Sequence, residues 1–319
     1  MYKLTILTEA GKNIGLGHYT RCSALRDYLI KSTNVNMIVY CNEIYLHDKN
    51  ITTFNWLEHL NNIPNSNYND CVLVDSYLAK TECYTQLKLY FKTVVAIDDY
   101  NRLSYDVHLL INPNVFFESI NYTNQKAICI GGKDFVMLRE SFRNTILKKV
   151  NPICTNLLVT LGGTDYRNLL PAIIDISADF PEMKWVIIDP EQKLKTCIPK
   201  NVLVKSTTDA FTMAQLMVDA DLAISGCGQT LHELVALQTP AIGICIDHDQ
   251  VLNQQYYHQT EYLLTKNAWN DQHLKNNLRQ QIHELTINAF HRESIVNKCA
   301  NMINKNGVKS IATLLISNQ

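Results

Sequence analysis

Ala220-Asp221-Leu222-Ala223-Ile224-Ser225-Gly226-Cys227-Gly228-Gln229-Thr230-Leu231-His232-Glu233-Leu234 passes from an apolar run, through two glycines, into a helical pattern. The run lacks strict alternation, which suits a parallel strand covered by helices on both faces. Read so, a strand ends at Ser225, a loop turns through Gly226 and Gly228, and a helix begins near Thr230. The same order recurs. Residues 4–8 lead to Gly15 and Gly17 before a helix over 19–31, and residues 156–161 lead to Gly162 and Gly163 before a helix carrying Leu169 and Leu170. Further strands are predicted over 36–41, 71–75, 93–98 and 107–111, then over 184–189, 201–205, 221–225 and 241–246. Repeated strand–helix order predicts an α/β chain with doubly wound parallel sheets.

A chain of 319 residues fits two domains at roughly 150 residues each. A helix over 135–149 closes the first strand series and a new one starts after Pro152, which predicts domains over 1–150 and 151–319. From Asp271 onward the pattern is helical, with Gly307 breaking it before a last helix able to pack back on the first domain. Two such sheets in tandem face one another across a crevice at their strand carboxyl ends, where ligands of these sheets bind.

The formal net charge is -1, from 29 basic and 30 acidic residues. That balance gives no electrostatic footprint for a nucleic acid or an anionic membrane. No run resembles a signal peptide or approaches the ~20 apolar residues of a membrane span, so a cytoplasmic location is expected. The ten cysteines form no CxxC or CxxH pair, which predicts reduced, mostly buried thiols. Cys227 is the exception to watch, because it sits in a glycine loop.

Gly15 and Gly17 free the backbone to turn sharply ahead of a helix whose N-terminus favours an anion. His18 starts that helix and Arg21 lies one turn on along the same face. The histidine is either a base aimed at the ligand or a helix cap. Gly162, Gly163 and Thr164 can line a phosphate with N–H groups and a hydroxyl, or serve only tight packing. Thr230 followed by Glu233 reads as a capping box, and equally as a loop whose amides take a diphosphate while Glu233 takes a sugar hydroxyl. Asp75 and Tyr77 follow one strand of the first half, and Asp98 with Asp99 follows the next. Acids at strand ends are helix caps, loop solvators or parts of a site. No histidine accompanies the adjacent pair, so neither a metal nor a cofactor is expected.

Seven blocks in order resemble the UDP-sugar hydrolases of pseudaminic acid biosynthesis and their glycosyltransferase-like relatives in spore-coat and cell-envelope polysaccharide loci. They are Gly15–Arg21, Val74–Tyr77, Ile97–Asp99, Leu110–Asn114, Leu138–Phe142, Gly162–Asp165 and Ser225–Glu233. The resemblance implies the glycosyltransferase B fold of two Rossmann-like domains. It also implies His18 as the base acting on water, Arg139 and Glu233 as substrate contacts, and UDP held mainly by the second domain. Asp249, beside Gln250, stands where the hydrolases have an asparagine, and Ser76 where they have a histidine.

The expected function is release of UDP from a UDP-linked amino- or deoxysugar by attack of water at the anomeric carbon. Catalysis falls to His18. The substrate is expected to meet Gly15, Gly17, Arg21, Asp75, Tyr77, Asp98, Arg139, Asp249 and Gln250. The nucleotide is expected to meet Gly162, Gly163, Thr164, Ser225, Gly226, Gly228, Thr230 and Glu233. A B-type glycosyltransferase with an acceptor in place of water, and a binding protein without turnover, are the alternatives. Biochemistry with a panel of UDP-sugars separates the three.

Overall fold

The computed structural model describes residues 3–12, 14–44, 46–63, 71–143, 148–194, 197–206 and 208–317. The chain forms two compact units, Met1–Glu140 together with Asn304–Gln319, and Ser141–Ile303. The change of unit precedes the 144–152 segment. Of that segment, and of the helix expected over 135–149, residues 144–147 lie outside the described residues, as does Asn13 of the first glycine turn.

The first unit contains β1 (Lys3–Gly11), β2 (Asn34–Asn42), β3 (Thr52–Thr53), β4 (Cys71–Asp75), β5 (Thr93–Ile97), β6 (Leu109–Asn112) and β7 (Ile128–Gly131). They make one parallel sheet in the order β3-β2-β1-β4-β5-β6-β7. Helices α1 (Gly17–Leu29) and α2 (Thr81–Leu87) connect strands within it, and the short α3 (Glu140–Arg143) follows at its end. Successive strand residues point to opposite faces. Leu4, Ile6, Leu73, Val95 and Ile97 therefore pack on one side, against Cys22, Leu25 and Leu29 of α1 and Val308, Ile311 and Leu315 of the last helix, Gly307–Ser317. Leu7, Val72, Val74, Val94 and Ala96 pack on the other, against Trp56, Tyr84, Leu87 and Phe91. β3 and β7, at the sheet's edges, are not among the predicted strands: β3 is only two threonines long, whereas β7 is a short apolar run whose Ile128 is 69% exposed.

Gly307 is the first residue of the last helix, not a break ahead of it. A Cβ there would collide with the backbone of Val136, so the glycine is what lets this helix lie against the chain at 135–136. Asn304 fastens the same approach, its N–H donating to Lys133 O at 3.0 Å and its side chain to Asp134 at 3.0 Å. Gly307→Ala is expected to destabilise the first unit by about 1–3 kcal/mol, the usual range for overpacking. A urea titration measures it; an unchanged midpoint would mean that the helix can shift without loss.

The second unit holds β8 (Asn156–Thr160), β9 (Lys184–Ile188), β10 (Val202–Lys205), β11 (Leu222–Gly226), β12 (Ala241–Cys245) and β13 (Asn267–Ala268). These are parallel in the order β10-β9-β8-β11-β12-β13. Its helices are α4 (Leu170–Ser177), α5 (Ala210–Asp219), α6 (Gln229–Ala236), α7 (Val251–Gln259), α8 (Leu274–Ile287) and α9 (Ala289–Cys299). Asn288 separates the last two, its side chain accepting from His291 N at 3.0 Å as the cap of α9. In both sheets the winding reverses between neighbouring strands, β1 and β4 in the first and β8 and β11 in the second. Their carboxyl ends are the ligand-binding positions of this architecture.

All ten cysteines are unbridged, and Cys227 is buried. Burial pushes the Cys227 thiol well up, so its place in a glycine loop does not make it reactive. Among the described residues no helix is long and apolar enough to cross a membrane, and no group of three or more His, Cys, Asp or Glu side chains could hold a metal ion.

Candidate active site

In the first unit, β1 runs into the Gly11–Gly15 turn, whose Gly11 and Gly15 exchange backbone hydrogen bonds at 3.1 and 2.7 Å. Gly15 takes a positive φ of 79°, and its N–H is tied to Gly11, so it shapes the turn and does not offer that amide to a ligand. Gly17 begins α1 and is exposed. No side chain caps this helix. His18 bends inward and its Nδ1 lies 2.7 Å from Asp75 Oδ1, at the end of β4.

Arg21 explains why Asp75 is fixed there. Its Nε and Nη2 each donate to Asp75 at 2.6 Å, and its Nη1 and Nη2 donate to Asp99 at 2.8 and 3.0 Å. Planar carboxylates thus meet the guanidinium on two edges, the strongest form of this pairing. Burial alone would raise both acids, but the Arg21 charge outweighs it and holds Asp75 and Asp99 below the usual carboxylate range. His18 assists at Asp75. An ionised carboxylate only accepts, so the hydrogen between His18 and Asp75 sits on Nδ1. In the neutral form of a ring held this way the lone pair lies on Nε2, which has no hydrogen-bond partner among the described residues. The 3.1 Å approach of Arg21 Nη2 to Nδ1 is a consequence of both groups sharing Asp75 Oδ1, since the N–H groups of Nη2 already serve the two acids.

Tyr77 closes the other side of the imidazole, its ring edge-on at 4.4 Å between centroids. Its hydroxyl donates to Asp99 at 2.6 Å; burial first, then the Asp99 charge, push the phenol up, so it keeps that proton. Two residues not singled out from sequence hold this arrangement. Buried Glu9 on β1 accepts the Tyr77 N–H at 2.7 Å and the Ser76 hydroxyl, and Ser76 takes the N–H groups of Leu78 and Ala79 at 3.1 and 3.0 Å. Asp99 is the second, quoted in a motif but not given a role. Glu9 lies one residue past the predicted strand over 4–8, which also carries Thr5 and Thr8, so nothing in the sequence sets it apart.

Two of the expected substrate contacts have partners inside the unit. Four of the five Arg21 N–H groups go to Asp75 and Asp99. The Asp98 carboxylate accepts from Asn101 N, Arg102 N and Tyr105 OH in the loop after β5, and from Tyr122 OH beyond β6. Arg139 lies half-buried just before α3.

In the second unit, α6 starts at Gln229 with Gly228 as its N-cap and no side-chain cap. Thr230 is therefore inside the helix, and the capping box with Glu233 does not form. Ser225 and Gly226 are buried; the Ser225 hydroxyl bonds Gly226 O at 2.9 Å, and a Cβ on Gly226 would meet Ile246 Cδ1 at 2.8 Å. Both residues are buried, and the accessible part of the loop begins at Gly228. Gln250 also differs from expectation. Its Oε1 accepts from Cys227 N at 2.9 Å and Ile246 N at 3.1 Å, so it sets the loop's position. Asp249 is exposed in the single turn His248–Gln250. Gly162 has φ 108°, a conformation only glycine takes without strain, and Gly163 and Thr164 are exposed. The amides opening α4 are not available to an outside anion, because the Asp165 carboxylate takes Leu169 N and Leu170 N at 2.9 Å each.

Each unit thus presents polar loops at a winding reversal, two such sheets on one chain. Solved structures share this arrangement over nearly the whole length. The Acinetobacter baumannii MurG structure superposes with a TM-score of 0.68 at 13% identity, covering 99% of both chains. The glycotransferase of kitacinnamycin gives 0.65 at 12%, covering 99% of this chain and 98% of its own. The fold is that of the B-type glycosyltransferases. Within that fold, residues 188–315 match the glycosyltransferase family 28 C-terminal domain. The chain is 25% identical over 260 residues to the Helicobacter pylori pseudaminic acid cytidylyltransferase and UDP-2,4-diacetamido-2,4,6-trideoxy-beta-L-altropyranose hydrolase, covering 79% of this chain and 46% of that protein. It is 24% identical over 261 residues to the Bacillus subtilis spore coat polysaccharide biosynthesis protein SpsG, covering 74% and 75%. The chain therefore spans about half the length of the Helicobacter relative. The sequence-level resemblance to this group of B-type proteins holds.

Proposed function

We propose that the protein hydrolyses a UDP-linked amino- or deoxysugar, with His18 as the general base. The observation that carries this reading is the His18–Asp75 pair, which ties up Nδ1 and leaves Nε2 to accept a proton. A base so oriented by a carboxylate follows the logic of acid–base triads. Water is the nucleophile: its oxygen bonds to the anomeric carbon as its proton passes to His18 Nε2. The bond from that carbon to the UDP oxygen breaks, and its electron pair leaves with the diphosphate. The second unit supplies the nucleotide contacts from Gly163, Thr164, Gly228 and the uncapped start of α6, whose N–H groups suit developing negative charge. Glu233 is assigned to a ligand hydroxyl, and Arg139 and Asp249 to the sugar. The Helicobacter relative, described as a hydrolase of such a UDP-sugar, supports the choice of water.

Transfer to an acceptor hydroxyl is the second reading, favoured by the family 28 match. The two are separated by incubating the protein with a panel of UDP-sugars. UDP release without any acceptor supports hydrolysis; release only on adding an acceptor supports transfer.

Nucleotide binding is tested independently of turnover. UDP at about 100 times its dissociation constant is expected to stabilise the folded state by about 2.7 kcal/mol. For a unit of this size that is a rise in melting temperature of roughly 5–10 °C. Glu233→Ala should shrink the rise. No shift with millimolar UDP or any UDP-sugar would remove the nucleotide from the reading.

A further inference from the structure

The adjacent acids at the end of β5 have separate tasks. The Asp98 carboxylate accepts from Asn101, Arg102 and Tyr105 in the loop after β5 and from Tyr122 beyond β6. Asp99 instead turns toward α1 and β4. It accepts from Arg21 Nη1 and Nη2, from the Tyr77 hydroxyl, and from Asn114 Nδ2 at 2.5 Å. Asn114 is steadied by Asn112 Oδ1 at 2.9 Å, and Asn112 reaches back to Asp99 O at 3.1 Å. Asn112 at the end of β6 and Asn114 just after it thus hold Asp99.

We infer that Asp99 is the positioning residue of His18, fixing the ring's tautomer and orientation without touching it. This rests on the reading of His18 as the base. The imidazole is restrained in two places, at Nδ1 by Asp75 and by the T-shaped contact with the Tyr77 ring. Both restraints end at Asp99: Arg21, which orients Asp75 bidentately, is held on its other edge by Asp99, and the Tyr77 hydroxyl donates to the same carboxylate.

The test replaces Asp99 by asparagine, which is close in shape and still accepts through its amide oxygen. Nitrogen-15 NMR of the histidine ring in the resting protein reads the tautomer directly. In the native protein His18 is expected as a single Nδ1–H form; in Asp99→Asn an Nε2–H population should appear. Turnover should fall by about 10²-fold, the usual result of a misplaced catalytic group, with KM and the UDP-induced melting shift near native. A folded Asp99→Asn protein with native tautomer and native kcat overturns the inference, as does a raised KM with kcat unchanged. Should that variant not fold, Tyr77→Phe removes one tie to Asp99 and leaves the carboxylate. The inference then requires the His18 ring signals to broaden or mix tautomers, and sharp native signals overturn it. The ring is observed without substrate. A native protein that turns over no UDP-sugar therefore counts against hydrolysis and leaves the tautomer result standing.

Discussion

Replacing His18 by asparagine is expected to lower the turnover of a UDP-sugar by about 10²–10⁴-fold, the usual contribution of a positioned acid–base group. UDP affinity should stay near native, since the nucleotide is assigned to loops of the second unit. Asparagine can still hydrogen-bond Asp75 but offers no basic nitrogen to water. The alternative role of helix cap is disfavoured by geometry: α1 has no side-chain cap, and the imidazole turns into the protein to meet Asp75. The stability of the variant is measured alongside, so that turnover is counted per folded molecule. Single-turnover rates and melting temperatures on the same preparation give both quantities. Native turnover from folded His18→Asn would remove it as the base.

The largest stability effect is expected at Asp75. Asp75→Ala deletes the partner of Arg21 and His18 in a fully buried position and leaves Arg21 with Asp99 alone. Breaking a buried pair from one side typically costs about 3–5 kcal/mol. Denaturant titration should show that loss, and turnover should fall with it because nothing then fixes the His18 tautomer. The same acids set the acid limb of stability. Folded Asp75 and Asp99 hold their charge to lower pH than in the unfolded chain, where aspartates titrate near ~3.9. Their contribution is thus complete above the unfolded value and is lost as pH falls through the depressed folded values. Asp75→Asn should flatten that limb. An acid limb identical in the variant and the native protein would show that these acids do not control it.

The parallel strands were legible as apolar runs because sheets covered on both faces need them, and this alone gave the strand–turn–helix order of both halves. His18 was legible too, since a glycine turn ahead of a helix must bring the next residues to a strand's carboxyl end. Sequence also identified Asp75 and Tyr77 as strand-end polar groups, without saying which would meet the histidine. The tertiary structure alone decided that Asp98 anchors a loop while its neighbour Asp99 joins Arg21. Residues next to each other in the chain leave a strand end in different directions, and periodicity does not say which way. Glu9, the commitment of Arg21 to two acids, and the closed-off Ser225 and Gly226 belong to the same class. Each depends on groups brought together from distant parts of the chain by the order of strands in a sheet. Local patterning determines that a strand forms and which face it buries; the pairing order, and hence which strand ends become neighbours, is set by packing the whole unit.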